Sequence, residues 1–163
     1  MLKIKSYVKV NSIEEAYELN QKKTAIVLGG MVWLKMGNRN ISTAIDLSGL
    51  GLAGIQETDE EFVIGCMTTL RELETDKRLN EYTQGAVRES VRHIVGVQFR
   101  NCATVGGSIW GRYGFSDVLT MFLGMDTWVE LHNAGKIPLT EFVDRKKDND
   151  ILVNIIVKKQ PLR

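Results

Sequence analysis

Two glycine pairs and one carboxylate are the residues of this chain whose types and spacing point to chemistry. Gly29–Gly30 ends "TAIVLGG", a short apolar, strand-like run, and Gly106–Gly107 sits inside "NCATVGGSI". Asp117 follows in "FSDVLTMFLGM", in the first turn of an expected helix, where the helix dipole by itself favours a negative charge. A glycine pair costs backbone entropy and buries no side chain, so it is used where a chain turns tightly or where backbone must come close to a neighbour. Consecutive N–H groups at such a place can converge on an anion. Two pairs, each expected after a strand-like run, suit a diphosphate held from two sides; two ordinary turns fit the pattern about as well. Neither pair matches GxGxxG or GxxxxGK(S/T), which disfavours a Rossmann dinucleotide site or a P-loop.

The elements that must position these residues alternate between helix and strand. "MLKIKSYVKV" reads as a strand, and "SIEEAYELNQKK" as a helix that Ser12 caps, with Glu15 completing a capping box. "MVWLKM" continues from the first glycine pair as a short helical turn, and "TAIDLSGL" is another strand. The pattern changes near residue 55. "IQETDEEFVIGC" reads as a hairpin turning at "TDE", and Thr69 with Glu72 forms a second capping box. "TQGAVRESVRHIV" carries Val87, Val91, Ile94 and Val95 on one helical face. "FSDVLTMFLGM" is a helix capped by Ser116, "TWVELHNAGKIPL" a hairpin turning near Asn133–Gly135, and "DILVNIIVK" a last strand. The reading is mixed α and β, with a subdomain boundary at residues 50–55.

Composition bounds the function. The 163 residues suit one domain or two small subdomains sharing a core. Apolar content of 44% and charged content of 25% are those of an ordinary globular protein. A net charge of +1 advertises neither a nucleic acid nor an acidic membrane as partner. No apolar run approaches the ~20 residues of a membrane helix, and the alternating N-terminus is unlike a signal peptide. Cys66 and Cys102 are read as buried thiols in a reducing cytoplasm. His93 and His132 lack metal-ligand company, so no metal site is expected. Arg100 fits an anion or a surface carboxylate equally well. Of Trp33, Trp110 and Trp128, the one following the second glycine pair, Trp110, is the better candidate to stack on a planar ring. "DRKKDND" at 144–150 reads as a solvated charged turn.

"VQFRNCATVGGSI" resembles the "QIRNxATxGGNI" signature of the FAD-binding subunit of molybdenum hydroxylases, the xanthine dehydrogenase, carbon monoxide dehydrogenase and aldehyde oxidoreductase family. "IVLGGMVWLKM", "IGCMTTLRELE" and "FSDVLTMFLGMDTWVEL" resemble further segments of that family in the same order, from about residue 4 to 157. The resemblance implies an α+β (mixed α/β) fold of two subdomains, of the type shared with vanillyl-alcohol-oxidase-like and cell-wall precursor reductase flavoproteins. The expected boundaries are 1–53 for the first FAD-binding subdomain and 54–163 for the second.

By the same resemblance Leu28, Gly29, Gly30, Met31, Val32 and Trp33 form a first loop whose N–H groups hold the diphosphate. Thr104, Gly106, Gly107 and Ser108 form a second loop opposite it. Asp117 accepts hydrogen bonds from cofactor hydroxyls, Ile94 and Val95 lie near the adenine end, and Leu152 touches the flavin ring. Met31 and Val32 stand where the family has polar residues, and Ser108 where it has Asn. The sequence stops soon after Leu152, so the family's C-terminal domain is expected to be absent.

The activity implied is that of a cytoplasmic oxidoreductase subunit. Electrons from a molybdopterin-binding large subunit and a 2Fe–2S small subunit pass through FAD to NAD⁺ or another acceptor. Two cysteines cannot hold an iron–sulfur cluster, so the clusters belong to partner chains. No Ser-His-Asp, Cys-His or paired-carboxylate set is evident, in keeping with chemistry carried by a cofactor. The alternative is a non-catalytic binding or assembly module that no longer holds FAD tightly.

Overall fold

The computed structural model describes residues 1–160 and contains two β-sheets flanked by short helices. The first sheet is parallel, in the order β1 (Lys3–Lys9), β3 (Asn40–Asp46), β2 (Ala25–Leu28). Helix α1 (Ile13–Asn20) connects β1 to β2. The Ser12 hydroxyl accepts from the Glu15 N–H at 3.1 Å, while the Glu15 carboxylate accepts from the N–H of Asn11 at 2.8 Å. The expected capping box is thus displaced by one residue on its return arm. The connection from β2 to β3 contains the first glycine pair and a 3-10 turn at Leu34–Met36.

The second sheet runs β4 (Ile55–Glu57), β5 (Glu61–Gly65), β8 (Leu152–Lys158), β6 (Thr127–Leu131), β7 (Gly135–Pro138), antiparallel throughout. Between β5 and β6 lie α2 (Leu70–Thr75), α3 (Lys77–Tyr82), α4 (Ala86–Arg92), α5 (Val97–Cys102), α6 (Val105–Gly111) and α7 (Asp117–Leu123); α8 (Leu139–Asp144) follows β7. Thr69 and Glu72 form the expected capping box of α2. The main hydrophobic cluster takes Val10, Ala16, Ile45 and Leu47 from the first sheet region together with Phe62, Ile64, Phe122, Phe142 and Ile155 from the second. Burial of these side chains, roughly 1.5–3 kcal/mol for each one larger than alanine, fixes the two sheets against one another.

Two expectations about the central helices need correction. The helix carrying Val87 and Val91 stops at Arg92, so Ile94 and Val95 do not continue its buried face. Val95 is 79% exposed and adopts left-handed backbone, φ +51°. Gly96 then starts α5 in extended backbone, and the Arg100 guanidinium donates to the Ile94 carbonyl at 3.1 Å, which holds the break. The second glycine pair is likewise not a loop after a strand. It forms the first turn of α6, because Thr104 caps that helix by accepting from the Gly107 N–H.

The turn at 144–150 also departs from expectation at one residue. Asp150 is buried, 4% exposed, and its carboxylate accepts from the N–H groups of Asn133, Ala134 and Ile151 at 2.8–2.9 Å. It organises the β6–β7 hairpin, whose register needs a fixed turn.

Candidate functional site

The two glycine segments meet. A Cβ on Gly30 would lie 1.9 Å from the Cys102 carbonyl oxygen, and one on Gly29 would lie 2.8 Å from Thr104 Oγ1. A Cβ on Gly106 would lie 2.5 Å from the Cys66 carbonyl oxygen, in the turn after β5. These glycines therefore let three backbone segments touch. Beside their junction opens a cleft of about 870 Å³, a size that suits a cofactor site.

Every residue that the resemblance assigns to the cofactor lines this one cleft. Leu28 through Trp33 form one wall, and Thr104, Gly106, Gly107 and Ser108 another. Ile94 and Val95 arrive from the break after α4, Asp117 from the first turn of α7 and Leu152 from the start of β8. The convergence joins residues up to 124 positions apart in sequence, Leu28 to Leu152.

The donors of the two walls differ. Among the described residues, the N–H groups of Gly30, Met31, Val32 and Trp33 have no hydrogen-bond acceptor. Met31 takes left-handed backbone, φ +57°, as the chain rounds this bend. Successive open donors through a left-handed residue are of the kind that can form an anion-binding concavity. On the other wall Gly106 N–H donates to the Cys66 carbonyl at 2.9 Å and Gly107 N–H to Thr104 Oγ1 at 3.2 Å. Ser108 N–H and hydroxyl both donate to the Thr104 carbonyl at 3.2 Å. The second pair thus spends its donors on the Cys66 carbonyl and on the Thr104 cap of α6, contrary to the expected second concavity, and contributes close approach instead.

Arg100 serves neither the cleft nor a surface partner. It is 5% exposed, and its Nε and Nη2 donate to Glu74 at 2.8 and 3.3 Å. Arg100 hydrogen-bonding holds the Glu74 carboxyl below its ordinary pKa. The pair ties α2 to α5 and to the Ile94 carbonyl, and so fixes the strained Val95 at the cleft wall.

The thiols separate. Cys66 is buried, and desolvation pushes its pKa up to about 12. Cys102 is exposed, against expectation; α5 ends there, and its carbonyl packs on Gly30. His93 Nε2 accepts from Arg92 Nε at 2.9 Å, and His132 packs on Tyr17 with ring centroids 5.2 Å apart.

Sequence reasoning overlooked Tyr113, Phe115, Arg39 and Asp150, which also line the cleft. Arg39 supplies an exposed cation at the rim. The aromatic spacing "RYGF" after the second glycine pair was the available signal for the first two. Among the described residues no helix is long and apolar enough to cross a membrane.

Residues 2–159 match the family described as the FAD binding domain in molybdopterin dehydrogenase, and the chain belongs to that family. Its cofactor is FAD. The chain is 27% identical over 170 residues to the 6-hydroxypseudooxynicotine dehydrogenase complex subunit alpha of Paenarthrobacter nicotinovorans, covering 95% of this chain and 57% of that protein. It is 26% identical to the uncharacterized protein YgfM of Escherichia coli (strain K12), covering 95% and 60%. The fold superimposes on a chain of the Cu,Mo-CO dehydrogenase with a TM-score of 0.87 at 23% identity, covering 99% of this chain and 61% of that one. Quinoline 2-oxidoreductase from Pseudomonas putida 86 gives 0.85 at 18% identity, covering 95% and 59%. The chain therefore spans about 60% of the length of these relatives.

The residues of the cleft fit FAD. Open N–H groups suit its diphosphate, the Asp117 carboxylate suits sugar or ribityl hydroxyls, and apolar Leu152, Ile94 and Val95 suit ring faces.

Proposed function

We propose that this chain is the FAD-binding part of a molybdopterin-dependent dehydrogenase and carries electrons between partner subunits and an acceptor. The observation that carries this reading is the convergence of the open N–H groups of Gly30–Trp33, Asp117 and Leu152 on one cleft. The first subdomain, residues 1–53, supplies the phosphate-binding wall, and the second, 54–163, supplies the close-packed wall and Asp117. Bound FAD supplies the redox chemistry, taking electrons from a 2Fe–2S partner fed by a molybdopterin subunit and passing them to NAD⁺ or another acceptor. The protein's part is position: Gly30–Trp33 fix the diphosphate and Asp117 fixes a hydroxyl.

One observation favours a second reading, a module that binds FAD weakly. The N–H groups of Gly106 and Gly107 are committed internally, and Met31 and Val32 add no side-chain donor. Loading the chain with FAD, reducing it and following reoxidation by NAD⁺ and by dyes separates the two. Reoxidation faster than that of free reduced FAD supports the electron-transfer role. Uptake of FAD without that gain removes the role, and failure to take up FAD supports the second reading.

A further inference from the structure

Three aromatic side chains stand open to solvent on the cleft, and none has a role in the reading above beyond the backbone of Trp33. Trp33 is 61% exposed, Phe115 70% and Tyr113 49%, and all three line the cleft. Rings of this size left in water mark a surface that something covers.

The sequence builds their arrangement. A Cβ on Gly111 would lie 2.7 Å from Cε2 of Tyr113, so glycine at the end of α6 lets that ring lie against the helix. Phe115 stacks on Tyr113 with centroids 5.2 Å apart and 16° between planes. Trp33 meets Phe115 edge-on, at 6.3 Å and 62°. With Trp33 61% exposed, indole surface stays free beside this contact. Trp33 comes from the first glycine segment, whereas Tyr113 and Phe115 follow the second, so the cluster joins the two walls. Trp110, the ring expected to stack, is already engaged: its centroid lies 5.7 Å from that of Phe142, and the Arg112 guanidinium lies 5.8 Å from it.

We propose that Trp33, backed by Phe115 and Tyr113, is the stacking platform for one planar ring of the cofactor, the isoalloxazine or the adenine. This rests on the reading that the cleft holds FAD. Trp33 belongs to the run of open donors, so a diphosphate held there starts its ribose–adenine and ribityl–flavin arms from the segment that carries the indole. Stacking tolerates either ring because both present a π-face.

The test is titration of the full chain with FAD, following flavin and tryptophan emission, in the native sequence and in Trp33→Leu, Trp33→Phe, Phe115→Leu and Trp128→Phe. Trp128 hydrogen-bonds Asp126 at 3.0 Å and is not among the cleft residues. Trp33→Leu should weaken FAD binding about tenfold and abolish most of the quenching of tryptophan emission. Phe115→Leu should weaken it less, Trp33→Phe should stay within about threefold, and Trp128→Phe should bind as the native chain does. Parallel titrations with ADP and FMN name the ring, as the one whose affinity Trp33→Leu lowers. Native chain that binds FAD one-to-one, with Trp33→Leu matching it within about twofold, overturns the platform and leaves the FAD reading intact. Native chain that takes up no FAD overturns both.

Discussion

Gly30 lies against the backbone of Cys102: a Cβ added at Gly30 would stand 1.9 Å from the Cys102 carbonyl oxygen, 2.5 Å from its carbonyl carbon and 2.9 Å from the Ala103 Cα. All three atoms are backbone or bound directly to it, so no flexible side chain can swing aside. Gly30→Ala should therefore push the two walls apart, costing at least about 2 kcal/mol of stability and lowering FAD uptake. Urea unfolding checks this, with Gly114→Ala as control. Its Cβ meets nothing within 4 Å, and it should shift stability by no more than about 0.5 kcal/mol.

Gly106 and Gly107 should separate fold from binding. A Cβ on Gly106 would lie 2.5 Å from the Cys66 carbonyl oxygen, whereas one on exposed Gly107 would meet only Thr104 Oγ1, at 3.1 Å. Gly106→Ala should unfold at lower urea, by about 2 kcal/mol. Gly107→Val should fold and lose FAD affinity, which paired unfolding and FAD-titration curves would reveal.

Much of this site was legible because glycine pairs, caps and apolar runs act locally. Ser116 and Thr69 cap helices where sequence places them, and the β4–β5 and β6–β7 hairpins turn where expected. What was not legible depends on distant partners. Val95 leaves the helix because the backbone breaks before Gly96 and Arg100 captures the Ile94 carbonyl. Asp150 is buried because three N–H groups around a hairpin turn need its carboxylate. The glycine pair at 106–107 looked like an anion loop, yet two of its N–H groups were claimed by Cys66 and Thr104, contacts that no local pattern announces.

The Arg100–Glu74 pair should make stability depend on pH. Glu74 titrates below its ordinary 4.5, first because Arg100 hydrogen-bonds it and also through Arg71. A carboxyl depressed in the folded state stabilises the fold above its unfolded pKa and loses that contribution as pH falls through the folded value. Arg100→Met should cost about 2–3 kcal/mol near neutrality, since it leaves Glu74 short of its buried partner. The gap between native and variant unfolding free energies should narrow as pH drops below 4.5.

Thiol chemistry should distinguish the cysteines. Cys102 is exposed, while burial pushes Cys66 up to about 12. A thiol reagent at mildly alkaline pH should label Cys102 promptly and Cys66 only after unfolding. Peptide mapping of the labelled chain checks this, and prompt labelling of Cys66 would contradict its packing against Gly106.

Asp117 is exposed in the first turn of α7, so its removal should spare the fold. Asp117→Ala should weaken FAD binding about tenfold, the value of a charge-assisted hydrogen bond, with a stability change within about 1 kcal/mol from the helix dipole. Calorimetric titration with FAD, beside thermal unfolding of the same samples, reads both.

The most direct measurement of the central claim is the visible absorption spectrum of the full chain after incubation with FAD and gel filtration. The cleft geometry predicts flavin bands at close to one FAD per chain, and their loss in folded Gly107→Val. A native chain that emerges folded and colourless, and takes up no FAD in solution, would contradict it.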